Sequence, residues 1–293
     1  MKPSPLSGLL PEHASQTYAP VGRCIYCQAT DHLHDEHIIP LGLGGRHVLP
    51  KASCKRCGGK TSAFERTCQR TMYGPLRLLY GLPSRRQKDR PETLPLKVKR
   101  SADAEWEYIQ VPQSRFPFLF TFPYWGMPGV MSGEPSPGQG PATKRMWIRG
   151  ASPGQSFDAL CREVAAELHM HSIMPESKAD MEAFSRMLSK IAYAHAVARR
   201  GGKTIQSPLV GYATGGAMAG CLRYIGGRDE DEPAAAALHE INLAHDPEGK
   251  LTVVRIRLLA CFGTPTYYVV VHDAEERANS TQQPTGAPSG ADG

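Results

Sequence analysis

Residues 24–57 decide the fold, and they read CIYCQATDHLHDEHIIPLGLGGRHVLPKASCKRC. This stretch begins and ends with a C-x2-C pair, and 26 residues separate the two pairs. Four thiolates from two such pairs complete the tetrahedral shell that a structural zinc ion prefers. Two disulfides are the alternative reading, but the N-terminus lacks the apolar stretch of a secretory signal. We therefore expect a zinc site formed by Cys24, Cys27, Cys54 and Cys57.

The segment between the two cysteine pairs has the pattern of a β-hairpin. A short apolar run, Ile38-Ile39, stops at Pro40, and a glycine-rich turn over residues 42–45 leads to a second strand-like run, Val48-Leu49. A helix is expected directly after the second cysteine pair. The pattern therefore predicts a hairpin that is closed at its base by a metal ion and followed by a helix.

Two acids and a histidine, Asp35-Glu36-His37, lie at the centre of this hairpin. A neutral imidazole can take a proton from water near neutral pH, and a neighbouring carboxylate can hold a hard divalent cation. Such a cation neutralises the charge that develops on a phosphate during hydrolysis. These residue types in this order indicate phosphodiester hydrolysis.

This stretch resembles the HNH endonuclease family, whose core is a ββα-metal hairpin and helix. The resemblance runs from Cys24 to about Glu65 and rests on the cysteine pairs, the run EHIIP and the turn GLGG; GGRHVLPKASCKRC looks like a bacterial and phage subgroup. It implies DNA cleavage with His37 as the general base. It also implies a catalytic divalent ion such as Mg²⁺ at Glu36, with Asp35 as a rival ligand.

The sequence departs from the family pattern at two positions. Arg46, with His47 beside it, stands where the family commonly has an asparagine that orients the catalytic histidine, and Arg46 could contact the scissile phosphate instead. His47 is either an active-site residue or an exposed strand residue. Gly58 stands where the family has a side-chain ligand, so Glu65 or His47 would have to complete the metal shell.

Charge is concentrated around the hairpin. Residues 21–100 hold 16 Lys and Arg against 6 Asp and Glu, a net charge of +10 in a chain whose total is +6. Such a block is typical of a module that binds a polyanion, although a solvated basic face has the same composition. Six cations are predicted to contact DNA phosphates: Lys51, Lys55, Arg56, Lys60, Arg66 and Arg70.

The rest of the chain is divided by composition and periodicity. We expect a disordered lead-in over residues 1–20, the zinc module over 21–80, a basic linker and aromatic segment over 81–150, and a disordered tail over 276–293. Residues 151–275 are predicted to form an α+β domain with an antiparallel sheet, because amphipathic helical patterns come first and a strand hairpin comes last. A long helix with His195 on its apolar, core-facing stripe is expected to end at Gly201-Gly202.

Three weaker patterns complete this division of the chain. Gly74-Pro75 should end or break the helix that follows the second cysteine pair. Residues 101–150 suggest short strands and loops, and residues 238–243 could form a third strand of the C-terminal sheet.

Three functions remain open at this level. The first is a metal-dependent DNA endonuclease, the second a non-catalytic zinc module that binds nucleic acid, and the third a protein-interaction adaptor. No apolar run approaches the roughly 18 residues of a membrane helix, so membrane proteins are excluded and a cytoplasmic location is expected. A homodimer is compatible with the sequence.

Overall fold

The computed structural model describes most of the chain, with several segments left out. The described residues are 8–84, 90–133, 143–151, 156–217, 220–246, 248 and 250–273. The tail predicted to be disordered, residues 276–293, lies outside them, as do residues 85–89 of the predicted basic linker. The described part is a mixed α+β structure, which confirms the predicted fold class.

The described chain contains twelve strands and six α-helices, with runs of consecutive strands at its start, middle and end. The strands are β1 (Gln16–Thr17), β2 (Leu33–His37), β3 (His47–Cys54), β4 (Thr93–Lys99), β5 (Glu107–Pro112), β6 (Phe118–Trp125), β7 (Thr143–Ala151), β8 (Ser172–Met174), β9 (Ile225–Gly227), β10 (Glu240–His245), β11 (Leu251–Arg257) and β12 (Tyr267–Asp273). The helices are α1 (Lys55–Thr71), α2 (Gly74–Leu79), α3 (Gly129–Ser132), α4 (Phe157–Glu167), α5 (Met181–Arg199) and α6 (Leu209–Ala213). The sheets have the orders β1-β3-β2, β5-β4-β8, β6-β7 and β10-β11-β12-β9. Every pairing is antiparallel except β1 with β3.

The segment between the cysteine pairs forms the predicted hairpin of β2 and β3. Leu33 lies opposite Cys54 at one end, and His37 lies opposite Val48 at the other. The connecting turn requires glycine, because a Cβ on Gly45 would lie 2.1 Å from a backbone carbonyl oxygen. The cysteine end and the histidine end of the hairpin are therefore two separate places.

Helix α1 begins directly after β3, as the sequence predicted. The sulfur of Cys54 accepts a hydrogen bond from the Cys57 backbone N–H at 3.5 Å, so the second cysteine pair also caps the helix. The chain restarts as α2 at Gly74-Pro75, with proline in the first turn, where its missing N–H has no intrahelical partner to lose. The predicted break between two helices is confirmed.

Part of the N-terminal segment belongs to the fold. The sequence placed residues 1–20 in a disordered lead-in, and residues 1–7 lie outside the described part. Strand β1 instead runs parallel to β3, with Gln16 opposite His47, and His13 is buried. This difference arises because β3 leaves a free edge that the short strand can pair with.

Helix α5 lies at the centre of the molecule. Every residue from Ala183 to Ala198 is buried, because α5 packs against α1 on one side and against α6 and strands β10 to β12 on others. The Asp180 carboxylate caps it by accepting from the Ala183 N–H at 2.9 Å. The predicted helix over this stretch and its end before Gly201 are confirmed.

The C-terminal sheet has the predicted hairpin of β11 and β12. Strand β10 pairs antiparallel with β11 and starts at Glu240, two residues after the predicted third strand. The aromatic segment forms β6 and β7, and its rings Phe122 and Trp125 contact Phe184 of α5 at centroid distances of 6.0 and 5.4 Å. One hydrophobic core thus joins the zinc module to the rest of the chain.

None of the helices in the described residues combines the length and the apolar character that a membrane crossing requires.

Candidate active site

The four paired cysteines converge at the base of the hairpin. Their sulfur atoms all lie within 4.8 Å of one another, and the sulfurs of Cys27 and Cys54 are 3.6 Å apart. All eight cysteines of the chain are free thiols, so the pairs form no disulfides. Four sulfurs at this separation fit the tetrahedral shell of a structural zinc ion, as the spacing predicted.

A large cleft of about 1720 Å³ runs along the hairpin, from Ser53 beside the second cysteine pair to Gly42 in the turn. Asp35, Glu36 and His37 of β2 line it, and Gly58 and Glu65 contribute from α1. The wall continues along α1 and α2 towards β4 and β5. The strand and the helix of the predicted module therefore bring the catalytic candidates to one surface.

Lys190 of α5 also lines this cleft, and it lies between the buried Glu36 and the half-buried Glu65. Its Nζ atom is 2.7 Å from Oε1 of Glu36 and 2.8 Å from Oε1 of Glu65. It also donates to the backbone carbonyls of His37 and Ile38. Burial opposes the charge, but the two carboxylates outweigh it and raise the pKa of Lys190 above its ordinary value. The ammonium is therefore charged at neutral pH.

Glu36, the predicted ligand of the catalytic metal, is only 5% exposed and is held by this ammonium. Outside the four cysteines, the described residues contain no cluster of three or more His, Cys, Asp or Glu donors within 4.8 Å. Gly58 adds no side chain, and Glu65 shares the same lysine. This arrangement does not fit a divalent ion at Glu36, because a resident cation already neutralises the donors.

His37 and Asp35 flank Glu36 on β2. His37 is half-buried, lines the cleft and has its Nδ1 atom enclosed. Asp35 is exposed and also lines the cleft, and its Oδ1 accepts from the Lys51 backbone N–H at 3.1 Å. Lys51 has a positive φ of +48°, and the pairing of β2 with β3 is irregular beside Asp35. The hydrogen bond from Lys51 to Asp35 helps to hold the backbone in this irregular stretch.

Arg46 and His47 lie away from the cleft. The Arg46 guanidinium pairs with Glu12 at 2.6 Å, and its backbone N–H donates to Nδ1 of His13. The His47 ring stacks on His13 with a centroid distance of 4.3 Å. The N-terminal segment therefore engages both residues, and neither of them lines the cleft.

The half-buried His47 lies beside three buried histidines, a group that the sequence did not reveal. The group consists of His13, His47, His195 and His239. Burial lowers the pKa of all four, to about 4 for His13 and His195 and to about 3 for His239. They are neutral at pH 7 and act as core residues there, which agrees with the core position predicted for His195.

The six side chains predicted to contact DNA fall into two groups. One lines the cleft along α1, namely Lys55, Arg66 and Arg70. The other lies outside the cleft, namely Lys51, Arg56 and Lys60. Arg56 instead hydrogen-bonds the Cys27 sulfur, and this contact raises the pKa of the arginine.

Two further arginines extend the basic wall. Arg77 donates to the carbonyls of Gly42 and Pro83 at 2.5 and 3.0 Å, and Arg90 donates to the carbonyl of Leu82. Both line the cleft. Burial and then the neighbouring Arg90 lower the pKa of Arg77 to about 10, so it keeps its charge at neutral pH.

Lys190 is the site residue that sequence reasoning missed. The helical pattern identified the apolar stripe of α5 but not the lysine within it. A signal was present, because Arg186 and Lys190 are the only Lys, Arg, Asp or Glu residues between Ala183 and Ala198. A cation in a helix buried on all sides requires a buried anion. Its partners lie far earlier in the chain, so the pattern alone could not name them.

Residues 24–69 match the family model of the HNH endonucleases. No curated protein and no solved structure matches the chain. The matched range contains the zinc site, β2, β3 and most of α1, and it supports a nuclease-type function with nucleic acid as the partner. The predicted homodimer, cytoplasmic location, and bacterial or phage origin stay predictions.

Proposed function

We propose that this protein is an endonuclease that hydrolyses DNA phosphodiester bonds in the cleft beside β2. The observation that carries the proposal is the position of His37, which lines a large cleft next to Glu36. Lys55, Arg66 and Arg70 line the same cleft and supply positive charge for a phosphate backbone. The match to the nuclease family over residues 24–69 supports the same reaction class.

His37 is the general base of the proposed reaction. Because His37 is half-buried and lines the cleft, its imidazole can take a proton from a water in the cleft. The water oxygen then attacks phosphorus, and the bond from phosphorus to the 3′ oxygen breaks, as the family resemblance implies. The leaving oxygen takes a proton from solvent. The basic side chains of α1 offset the charge on the phosphate.

The two metals of the sequence prediction have different places in this proposal. Zinc on the four cysteines holds the hairpin to the start of α1, so its contribution is to the fold. The divalent ion expected at Glu36, such as Mg²⁺, does not fit the pair of Glu36 with Lys190. No step of the proposed hydrolysis therefore depends on an ion at Glu36.

Plasmid cleavage tests this function. Purified full-length protein is incubated with supercoiled plasmid, with and without Mg²⁺ or Mn²⁺, beside His37→Ala. A general base contributes about 10²- to 10⁴-fold, so we expect a loss of that size in nicking rate. His34→Ala is the matched control, because His34 is an exposed histidine of β2 that lines the same cleft. Equal nicking by wild type and His37→Ala would reject the role of His37.

A second candidate function is nucleic-acid binding without cleavage. Gly58, which provides no side chain at the third motif position, favours it. It predicts salt-sensitive DNA binding with no cleavage under any divalent metal. A cut that depends on His37 would end this second candidate.

A further inference from the structure

We propose that the ammonium group of Lys190, and not a divalent metal ion, is the resident cation of this site. Lys190 is a positioning residue here: it holds Glu36 and the backbone of His37 in place and keeps divalent ions out. The inference deepens the proposed function and rests on it where cleavage is concerned. The assignment of the cation itself concerns binding and stands on geometry.

Four oxygen atoms surround Nζ of Lys190. Two carboxylate oxygens, from Glu36 and Glu65, lie at 2.7 and 2.8 Å, and the carbonyl oxygens of His37 and Ile38 complete the surroundings. Carboxylate and carbonyl oxygens are the ligands that hard divalent cations take in proteins. Lysine places one positive charge and three N–H donors at the point where these oxygens converge.

Lys190 is 2% exposed and projects from the middle of α5, where every neighbouring residue of the helix is buried. The core therefore packs this side chain in place, and its ammonium group cannot turn outward into solvent. A divalent ion bound to Glu36 would lie beside a buried like charge, and such repulsion is poorly screened in the protein interior.

The lysine and the two acids come from different parts of the chain. Glu36 and Glu65 belong to the module that the nuclease family model matches, whereas Lys190 lies well outside residues 24–69. The α1–α5 contact inserts the lysine between the two acids. The second half of the chain thus supplies the positive charge that neutralises Glu36 and Glu65. Contacts to the phosphate then fall to Lys55, Arg66 and Arg70, which line the open cleft.

Manganese binding tests the assignment. Zinc-loaded full-length protein is titrated with Mn²⁺ and followed by electron paramagnetic resonance up to about 1 mM, the weak end of protein carboxylate sites. We expect no stoichiometric site in the wild type. Lys190→Met frees the two carboxylates and should gain one Mn²⁺ per chain, which the double variant Lys190→Met/Glu36→Gln should lose again. Lys178→Met, a second lysine of the cleft, is the control and should gain none.

Two results would overturn the assignment. One is a wild-type Mn²⁺ site that disappears in Glu36→Gln. The other is a folded Lys190→Met variant that binds no Mn²⁺. If Lys190→Met does not fold, the wild-type titration still decides, because it needs no variant of the lysine.

Cleavage separates this inference from the proposed function. His37-dependent nicking that requires added Mn²⁺ bound at Glu36 would leave the nuclease and remove the lysine assignment. No nicking by a wild type that binds no Mn²⁺ would remove the nuclease and leave the lysine assignment.

Discussion

The two ends of the β2–β3 hairpin hold cations in different ways. At one end, four cysteines from residues 24–57 bring their sulfurs within 4.8 Å of one another. At the other, Glu36 and Glu65 converge on an ammonium supplied by α5, far along the chain. The first site is local and uses a metal ion to hold a short segment together. The second site exists only where two halves of the chain meet.

The two cation sites contribute differently to the free energy of folding. A structural zinc site contributes folding free energy outright, because the unfolded chain has no preformed shell of thiolates. A buried ion pair adds little net stability, since desolvation offsets most of the attraction, but removing one partner is costly. The two ends of the hairpin should therefore respond differently when a single ligand is removed.

The largest effect is expected at the cysteine end. Cys27→Ser/Cys54→Ser removes two of four zinc ligands, and structural zinc is worth about 10–16 kcal/mol in small zinc peptides. We expect loss of bound zinc and loss of the cooperative thermal transition of the module, measured by metal analysis and circular dichroism. Cys161→Ser, outside the cluster, is the matched control. A double variant that melts like wild type would show that the cysteines do not hold the fold.

The next largest effect is expected at the carboxylate end. Lys190→Met leaves the buried Glu36 without this cation, and breaking a buried pair costs about 3–5 kcal/mol. We expect that loss of unfolding free energy in urea titrations at pH 7, and we expect Glu36→Gln in the same chain to restore part of it. An exposed lysine, Lys203→Met, should change stability little. The absence of any rescue by Glu36→Gln would argue against the pairing.

A smaller effect of pH on stability is expected from His195, which is buried on α5. Burial lowers the pKa of His195 to about 4, and the unfolded chain titrates near 6.5, so the unfolded state binds more protons between these values. Its contribution to stability is present above pH 6.5 and is lost as the pH falls towards 4. We expect unfolding free energy to fall between pH 7 and 5.5, measured with zinc in excess. His195→Gln should flatten this dependence, and an unchanged slope would contradict the assignment.

The smallest effect concerns the cleft wall. Arg66→Ala and Arg70→Ala should each weaken DNA binding and lower the salt slope by about 1, because each removes one phosphate contact. Fluorescence anisotropy at several salt concentrations measures both quantities. Lys60→Ala is the matched control on the same helix, since Lys60 lies outside the cleft. Equal losses of DNA affinity at all three positions would show that DNA does not bind along the cleft.

Much of the fold could be predicted because it follows from short-range patterns. The cysteine spacing, the hairpin around Pro40, the start of α1 and the strands β11 and β12 each depend on residues close in sequence. The aromatic segment was predicted only as short strands and loops, and it forms the paired strands β6 and β7. The strand β1 escaped prediction, because a two-residue strand carries no periodicity.

Only part of the candidate site could be predicted from the sequence. Glu36, His37 and Asp35 do line one cleft. Arg46 and His47, placed beside them by the motif, instead contact Glu12 and His13 and do not line the cleft. Closeness in sequence therefore does not decide which side chains reach the cleft, because the tertiary partner of each side chain decides it.

From the amino-acid sequence alone came the zinc ligands, the ββα hairpin and the acid–histidine pair, since all of these depend on spacing within one short segment. Tertiary structure decided which cation meets Glu36 and Glu65, and which of the basic side chains face the cleft. The physical reason is that a charge buried in a helix such as α5 must find its counter-charge through packing, and packing joins residues that no local pattern relates.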